Sequence, residues 1–155
     1  MALVERDRAW CEGVLAEGEV GWLAMSTPEG PYVVPVNYRW HGGRVVIHTS
    51  LEGRKIECLR ADDRVCLGGG GAAEPLKPHE RGGCYRPWRS VLVFGRARIV
   101  EDIGEKLGPL QDFLTAYDPE GKFPALKPED VKKILLILVE PERITGREET
   151  GEEKS

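Results

Sequence analysis

Short apolar runs separated by turn residues constrain what this chain can fold into. Six runs have the composition and spacing of β-strands, and turn segments rich in Gly and Pro lie between several of them. They cover residues 20–26, 32–40, 45–50, 64–68, 90–100 and 134–145. Such runs, joined by hairpins and few helices, predict a mainly β fold: a six-stranded antiparallel β-barrel with helical decoration.

Helical patterns are fewer and lie between or before the strands. We predict an amphipathic helix in the fifteen or so residues after Val4, a short helix carrying Arg54 and Lys55, and a helix over residues 103–117. A shorter helix is predicted to open at residues 128–130. The Gly-rich stretch 68–87 matches no phosphate-binding loop, so it is predicted to be a surface loop or to shape an active-site entrance.

Length and charge limit the domain count and the partners. With 155 residues we expect one domain over residues 1–145, followed by an acidic, disordered tail at 146–155 that has no apolar anchor. A formal charge of −4 argues against sequence-independent nucleic-acid binding, which needs surplus Lys and Arg. No apolar run approaches a membrane span, and four cysteines without CxxC spacing suggest reduced thiols. The sequence predicts a cytoplasmic protein that has no membrane span and no metal site.

The stretch IHTSLEGRKIECLR, residues 47–60, changes from strand to helix. Thr49 and Glu52 have the spacing of a capping box, which would start the helix at Thr49. Arg54 and Lys55 would then add two charges to the positive end of the helix dipole, where an anion such as phosphate binds well. In the alternative reading both cations are solvated or pair with neighbouring carboxylates. The local sequence does not separate these two readings.

Pro35 interrupts the otherwise regular second strand, YVVPVNY. Proline cannot donate to a strand ladder, so this strand must have an interrupted edge. That edge either meets solvent or offers its backbone to a planar ligand. Because the neighbouring strand leads into the Arg-Lys helix, a ring on one strand and a phosphate at the end of the next would suit flavin mononucleotide.

Three motifs in this order resemble the FMN-binding split-barrel superfamily. They are PVNY, HTSLEGRK and SVLVFGRA, and the similarity covers residues 14–102, with a weaker match in the last strand. The nearest branch is the pyridoxamine-phosphate-oxidase-like one that includes nitroimidazole-resistance proteins. The resemblance therefore implies a split β-barrel. The glycines after Leu67 depart from the pattern of relatives and leave the substrate unassigned.

The resemblance also implies which residues contact FMN. Along the isoalloxazine edge it places Val34, Pro35, Val36 and Asn37, largely through their backbone. Beside the ring, ribityl chain and phosphate it places His48, Thr49, Ser50, Arg54 and Lys55. At the start of the fifth strand it places Trp88, Arg89 and Ser90, which would approach from the partner chain of a homodimer with flavin sites at its interface.

His48 is the one candidate for a catalytic role. Beside a flavin, its imidazole could donate to a substrate or act as a general acid near neutral pH. A half-buried histidine bonded to backbone is the alternative. The strand aromatics Trp22, Tyr38 and Trp40 are expected in the core rather than stacked on a ligand.

The function implied is a dimeric, FMN-dependent oxidoreductase acting on a small organic substrate, either like pyridoxamine-phosphate oxidase or like a nitroreductase. Three alternatives stay open from the sequence. The barrel could bind FMN without turnover, as a carrier or sensor. It could hold a deazaflavin or haem, or it could be an interaction module that has lost its ligand.

Overall fold

Alternating inward and outward side chains build a β-ring decorated by three helices. The computed structural model describes residues 3–72, 74–78 and 82–149. Its elements are β1 (Leu3–Arg6), α1 (Arg8–Glu17), β2 (Val20–Thr27), β3 (Gly30–His41), β4 (Arg44–Ser50), α2 (Arg54–Ala61), β5 (Arg64–Ala72), β6 (Lys77–Pro78), β7 (Cys84–Tyr85), β8 (Trp88–Val100), α3 (Ile103–Tyr117) and β9 (Ile134–Glu149).

Six antiparallel strands close the ring. Their order is β9-β4-β3-β2-β5-β8, and β8 pairs with β9 again to complete it, while β1 adds to the other edge of β9. The predicted six-stranded antiparallel barrel with helical decoration is thus confirmed. Closure pairs most of the edges of these apolar strands.

All six barrel strands are longer than the sequence predicted, and β5 and β9 are extended most, by four residues each. β5 continues from Gly68 to Ala72, because the start of β8 provides a ladder partner for it. The strands approach so closely that a Cβ at Gly70 would lie 2.3 Å from the Arg89 carbonyl oxygen. The prediction of a loop over residues 68–87 is therefore wrong for residues 68–72, which belong to β5. The β6–β7 hairpin occupies part of the remaining segment.

The ends of the chain also differ from the sequence prediction. Residues 3–6 form β1 instead of leading into the helix, and they pair with Gly146–Glu149 of β9. Strand β9 therefore continues to Glu149, four residues past the predicted boundary at residue 145, so residues 146–149 of the predicted tail are part of a strand. Residues 150–155, the remainder of the tail, lie outside the described residues.

The short helix predicted to open at residues 128–130 is wrong, because the chain forms turns over residues 128–133. The buried Lys106 ammonium on α3 donates to the carbonyl oxygens of Val131, at 2.9 Å, and Ile134, at 2.6 Å. The Lys106 side chain thus hydrogen-bonds two carbonyl oxygens that, in a longer helix, backbone N–H groups would bond. None of the helices among the described residues could cross a lipid bilayer.

Tyr38 is the largest side chain fully buried in the barrel interior. Its hydroxyl donates to the Leu15 carbonyl at 3.0 Å, which fixes the end of α1, and burial raises its pKa to about 12. A Cβ at Gly18 would lie only 2.2 Å from that hydroxyl oxygen, so a glycine makes room for it. Tyr38 is core as predicted, whereas Trp22 faces outward and is 57% exposed.

Candidate functional site

Strands β3 and β4 separate before either of them ends. Their ladder runs from the His41–Arg44 pair, next to the Gly42-Gly43 turn, to the Tyr38–Ile47 pair. Among the described strands, the part of β4 after Ile47 pairs only with β9. The part of β3 before Tyr38 pairs only with β2. A fork therefore opens between residues 30–37 of β3 and residues 48–50 of β4.

Backbone groups of Asn37 and His48 face each other across this fork. The Tyr38 N–H donates to the Glu19 carbonyl at 2.9 Å on the β2 side, and strand residues alternate in direction. Asn37 and Pro35 therefore turn their backbone towards the gap, where the Asn37–His48 pair would be the next to form. Pro35, which has no N–H to lose, lies on the unpaired side, in agreement with the predicted interrupted edge.

Helix α2 begins beside the fork, but not with the predicted cap. Thr49 lies inside β4, and the helix starts at Arg54 after Gly53, whose φ of 131° is in a region that favours glycine. Among the described residues no side chain caps the helix, and the Ser50 hydroxyl donates to the Glu52 carbonyl at 3.0 Å instead. The predicted capping box is wrong, and the first-turn N–H groups remain available to an anion.

Arg54 and Lys55 occupy the first turn of α2, as predicted. The Arg54 guanidinium lies over the Tyr32 ring of β3, 4.7 Å from its centroid, and 3.8 Å from the Glu29 carboxylate. Lys55 is half-buried, and this burial lowers the pKa of its ammonium. One cation therefore reaches the β3 side of the gap and the other lies deeper, with uncapped N–H groups between them.

His48 is the first β4 residue beyond the ladder. Its ring meets the Phe113 ring of α3 edge-to-face, with centroids 4.7 Å apart and planes at 84°. Burial and, second, the nearby Lys55 charge lower the pKa of the imidazole, so the neutral form is favoured at neutral pH. A neutral imidazole can both donate and accept a hydrogen bond beside the gap.

The remaining predicted residues divide into two sets. Val34 and Val36 point towards the barrel interior, whereas the Asn37 and Pro35 side chains are exposed. Within one chain, Trp88, Arg89 and Ser90 do not meet the fork. Ser50 of β4 pairs with Ile134 of β9, whereas Ser90 of β8 pairs with Arg147 of β9. These two β9 residues are 13 positions apart, which corresponds to roughly 43 Å along the strand.

The Trp88 to Ser90 segment has contacts of its own. The Trp88 indole N–H donates to the Glu149 carboxylate at 2.6 Å, and Arg89 pairs with Glu17 of α1 at 2.5 Å. Ser90 lines a groove of about 660 Å³ along β8 and β9, together with Leu92, Phe94 and Arg143. Within one chain these residues lie along β8 and β9, away from the fork.

Comparison with known proteins identifies the family. A model of the pyridoxamine 5'-phosphate oxidase family matches residues 7–148. The chain belongs to the pyridoxamine 5'-phosphate oxidase family. The match extends from the N-cap of α1 almost to the end of β9, so the fork, α2 and the β8–β9 groove all lie within it. The resemblance inferred from the sequence motifs is confirmed.

One curated protein and one solved structure share sequence similarity with this chain. An uncharacterized protein from Rhizobium meliloti is 35% identical over 89 residues, which is 57% of this chain and 52% of that protein. The chain thus spans about half the length of this curated relative. An FAD-binding protein from Mesorhizobium loti is 28% identical, with 97% of this chain and 100% of that chain covered and a TM-score of 0.72.

A more distant solved structure supports the family fold alone. It is a candidate 5-nitroimidazole antibiotic resistance protein from Bacteroides thetaiotaomicron, which is 22% identical, with 96% of this chain and 89% of that chain covered and a TM-score of 0.80. The split barrel of the pyridoxamine-phosphate-oxidase-like proteins is therefore the fold of this family member.

Three residues at the fork escaped the sequence analysis. Tyr32 and Glu29 contact Arg54, and Phe113 contacts His48, although each lies far from its partner in sequence. Tyr32 was identified only as the start of a strand and Phe113 only as part of a helix. Their positions follow from the register of β3 and from the packing of α3, which the local pattern does not encode.

Proposed function

We propose that this protein is an FMN-binding flavoprotein that acts as an oxidoreductase on a small organic substrate. The observation that carries the proposal is the fork itself. Unpaired backbone groups line it on two strands, and an uncapped, doubly cationic helix start lies at its side. A planar ring with a polar edge and a terminal phosphate matches both features.

The chain's own groups would bind and orient the cofactor. The backbone of Pro35 and Asn37 would contact the ring edge, and Ser50, Arg54 and Lys55 would hold the phosphate. The Glu29–Arg54 pair is exposed and long, so it contributes little and a phosphate can replace it. When bound, the flavin would supply the redox chemistry, while His48 would hold or donate a proton beside it.

We propose FMN rather than a dinucleotide, because the fork has one cationic helix start beside it, which suits a single terminal phosphate. The Mesorhizobium relative is described as FAD-binding, which makes the comparison between the two flavins informative. We expect tighter binding of FMN than of FAD.

The site would be completed by a second copy of the chain. Pro35, Trp22, Gly68 and Leu92 stand in register across four strands on the outer face, where Trp22 is 57% and Leu92 39% exposed. A homodimer would cover this apolar row and could bring Trp88, Arg89 and Ser90 of one copy to the fork of the other. The cytoplasmic location stays a prediction.

Absorption and mass spectra of the purified protein, before and after FMN is added, test the proposal. A flavin spectrum with one FMN per chain supports it, and the absence of both chromophore and FMN affinity contradicts it. Stoichiometric FMN that no nicotinamide reduces would favour a carrier or sensor. A deazaflavin or haem spectrum would instead assign one of those cofactors.

A further inference from the structure

The aromatic pair Phe113 and Tyr117 on α3 lies over β4 and β3 next to the base of the fork, and Tyr117 contacts β3 on its β2 side. Tyr117 donates its hydroxyl to the Tyr38 carbonyl of β3 at 3.4 Å. Its ring stacks on Phe113, with centroids 5.1 Å apart and planes at 24°. Phe113 in turn meets His48 of β4 edge-to-face. One helix thus contacts both strands at the pairs where their ladder stops.

The two strand residues that α3 contacts, Tyr38 and His48, lie where the β3–β4 ladder ends. Tyr38 belongs to the last pair that joins β3 to β4, and His48 is the first β4 residue after it. A contact further along either strand would not affect the base of the fork. The Asp112 carboxylate of α3 also lies 3.7 Å from His41 at the hairpin end, so the helix follows the hairpin from its turn to its fork.

Groups from two helices approach the exposed side chain of His48. Phe113 covers one side of its ring from α3, and Lys55 approaches from α2 closely enough for its charge to act on the imidazole. The carboxylate on the same stretch of α3, Asp112, faces His41 rather than His48. Within the described part of the chain no carboxylate forms an ion pair with His48, so packing and the neighbouring cation favour the neutral ring.

We propose that Phe113 and Tyr117 act as positioning residues, forming an aromatic clip that holds the His48 ring beside the gap and fixes the base of the β3–β4 fork. The inference rests on the proposed flavin site, since it assigns α3 a part in that site. Phe113 is buried where it contacts the His48 ring, whereas Tyr117 is 38% exposed and contacts β3 through its hydroxyl.

Nuclear magnetic resonance of the flavin-free, full-length protein tests the clip without any cofactor. In Phe113→Leu, we expect the His48 ring protons to lose their ring-current shift and the pKa of the imidazole to rise towards about 6.5. Leu110→Val is the matched control, because Leu110 lies in the same small apolar cluster. It trims that cluster and leaves the Phe113–His48 contact in place.

FMN titration of the same proteins tests the connection to the site. Tyr117→Phe keeps the ring and removes only the hydroxyl, so it folds even where Phe113→Leu does not. We expect each variant to weaken FMN binding by about two- to tenfold, the effect of losing one aromatic pair or one hydrogen bond. Thr115→Ala, on the exposed side of α3, should leave the affinity unchanged.

Two results would overturn the clip. One is a His48 shift and pKa that stay the same in Phe113→Leu or move equally in Leu110→Val. The other is an FMN affinity that Tyr117→Phe and Phe113→Leu reduce no more than the controls do. If the wild-type protein binds no FMN, the proposed function fails, and the His48 measurements alone decide the clip.

Discussion

Asn37 and His48 occupy the positions of the next hydrogen-bonded pair in the β3–β4 hairpin, yet the ladder ends one pair earlier, at Tyr38 and Ile47. The two backbones therefore present their polar groups to a gap instead of to each other. Burying such groups unpaired would be costly, so they need water or a ligand as partner. The gap is the feature on which the flavin proposal depends.

The N-cap glycine of α2 should tolerate no side chain. Gly53 has a φ of 131° and a ψ of 166°, a conformation that costs other residues about 1–3 kcal/mol. We expect Gly53→Ala to lower the free energy of unfolding by that amount and to weaken FMN binding more than riboflavin binding. Chemical denaturation and flavin titration measure both effects.

Gly13→Ala is the matched control, because Gly13 lies inside α1 with open space around its Cα. Alanine there should stabilise the protein by about 0.5–1 kcal/mol without changing flavin affinity. Equal effects of the two substitutions would show that Gly53 has no special conformational role.

Stability should depend on pH through His48. The folded-state pKa of the imidazole is lowered, so the unfolded chain binds the proton more readily. This contribution is fully present above the unfolded pKa of about 6.5 and is lost as the pH falls through it towards the folded value. We expect thermal unfolding between pH 7.5 and 5.5 to show a smaller loss of stability in His48→Gln than in wild type. Parallel curves for the two proteins would contradict this.

Gly18 and Tyr38 should be energetically coupled. A Cβ at position 18 would clash with the Tyr38 hydroxyl, so Gly18→Ala should lower the free energy of unfolding by about 1–3 kcal/mol. Tyr38→Phe should cost about 1 kcal/mol through the lost bond to Leu15. In the double variant the clash is relieved, so the combined loss should be smaller than the sum. Additive losses in a denaturation cycle would rule out the close contact.

The outward row on β2 and β8 should be the dimer surface. Trp22→Glu or Leu92→Glu would place a charge in an apolar interface, and we expect either to shift the protein from dimer to monomer in sedimentation equilibrium. Phe123→Glu is the control, since Phe123 is 62% exposed and lies outside the row. A wild-type monomer at high concentration, or a dimer unaffected by both substitutions, would exclude this interface.

Much of this organisation could be predicted from the sequence, for physical reasons that differ between elements. The bounds of α3 agree with residues 103–117, because its pattern is long and Asp102 caps it. Pro35 predicted an interrupted edge correctly, since a missing N–H acts locally. The start of α2 was misplaced because Thr49 is recruited into the β4 ladder with Leu135, and tertiary pairing overrides the capping pattern.

Other features depend on contacts between distant residues. The extension of β5 through its glycines needs the start of β8, and residues 146–149 are ordered by β1 and β8. The contacts of Arg54 with Tyr32, and of His48 with Phe113, likewise join segments that no local periodicity relates. Sequence motifs could thus predict candidate phosphate residues, but not the groups that Arg54 and His48 contact.

Calorimetric titration with FMN and with riboflavin tests the central claim most directly, because the two ligands differ only in the phosphate. We expect FMN to bind far more tightly, by about 1.5–3 kcal/mol for each charge-assisted bond. The advantage should fall sharply in Arg54→Ala/Lys55→Ala, which keeps only Ser50 and the backbone N–H groups, but persist in Arg60→Ala, which removes a cation paired with Glu101 at the other end of α2. Equal affinities of the wild-type protein for FMN and riboflavin would contradict the account.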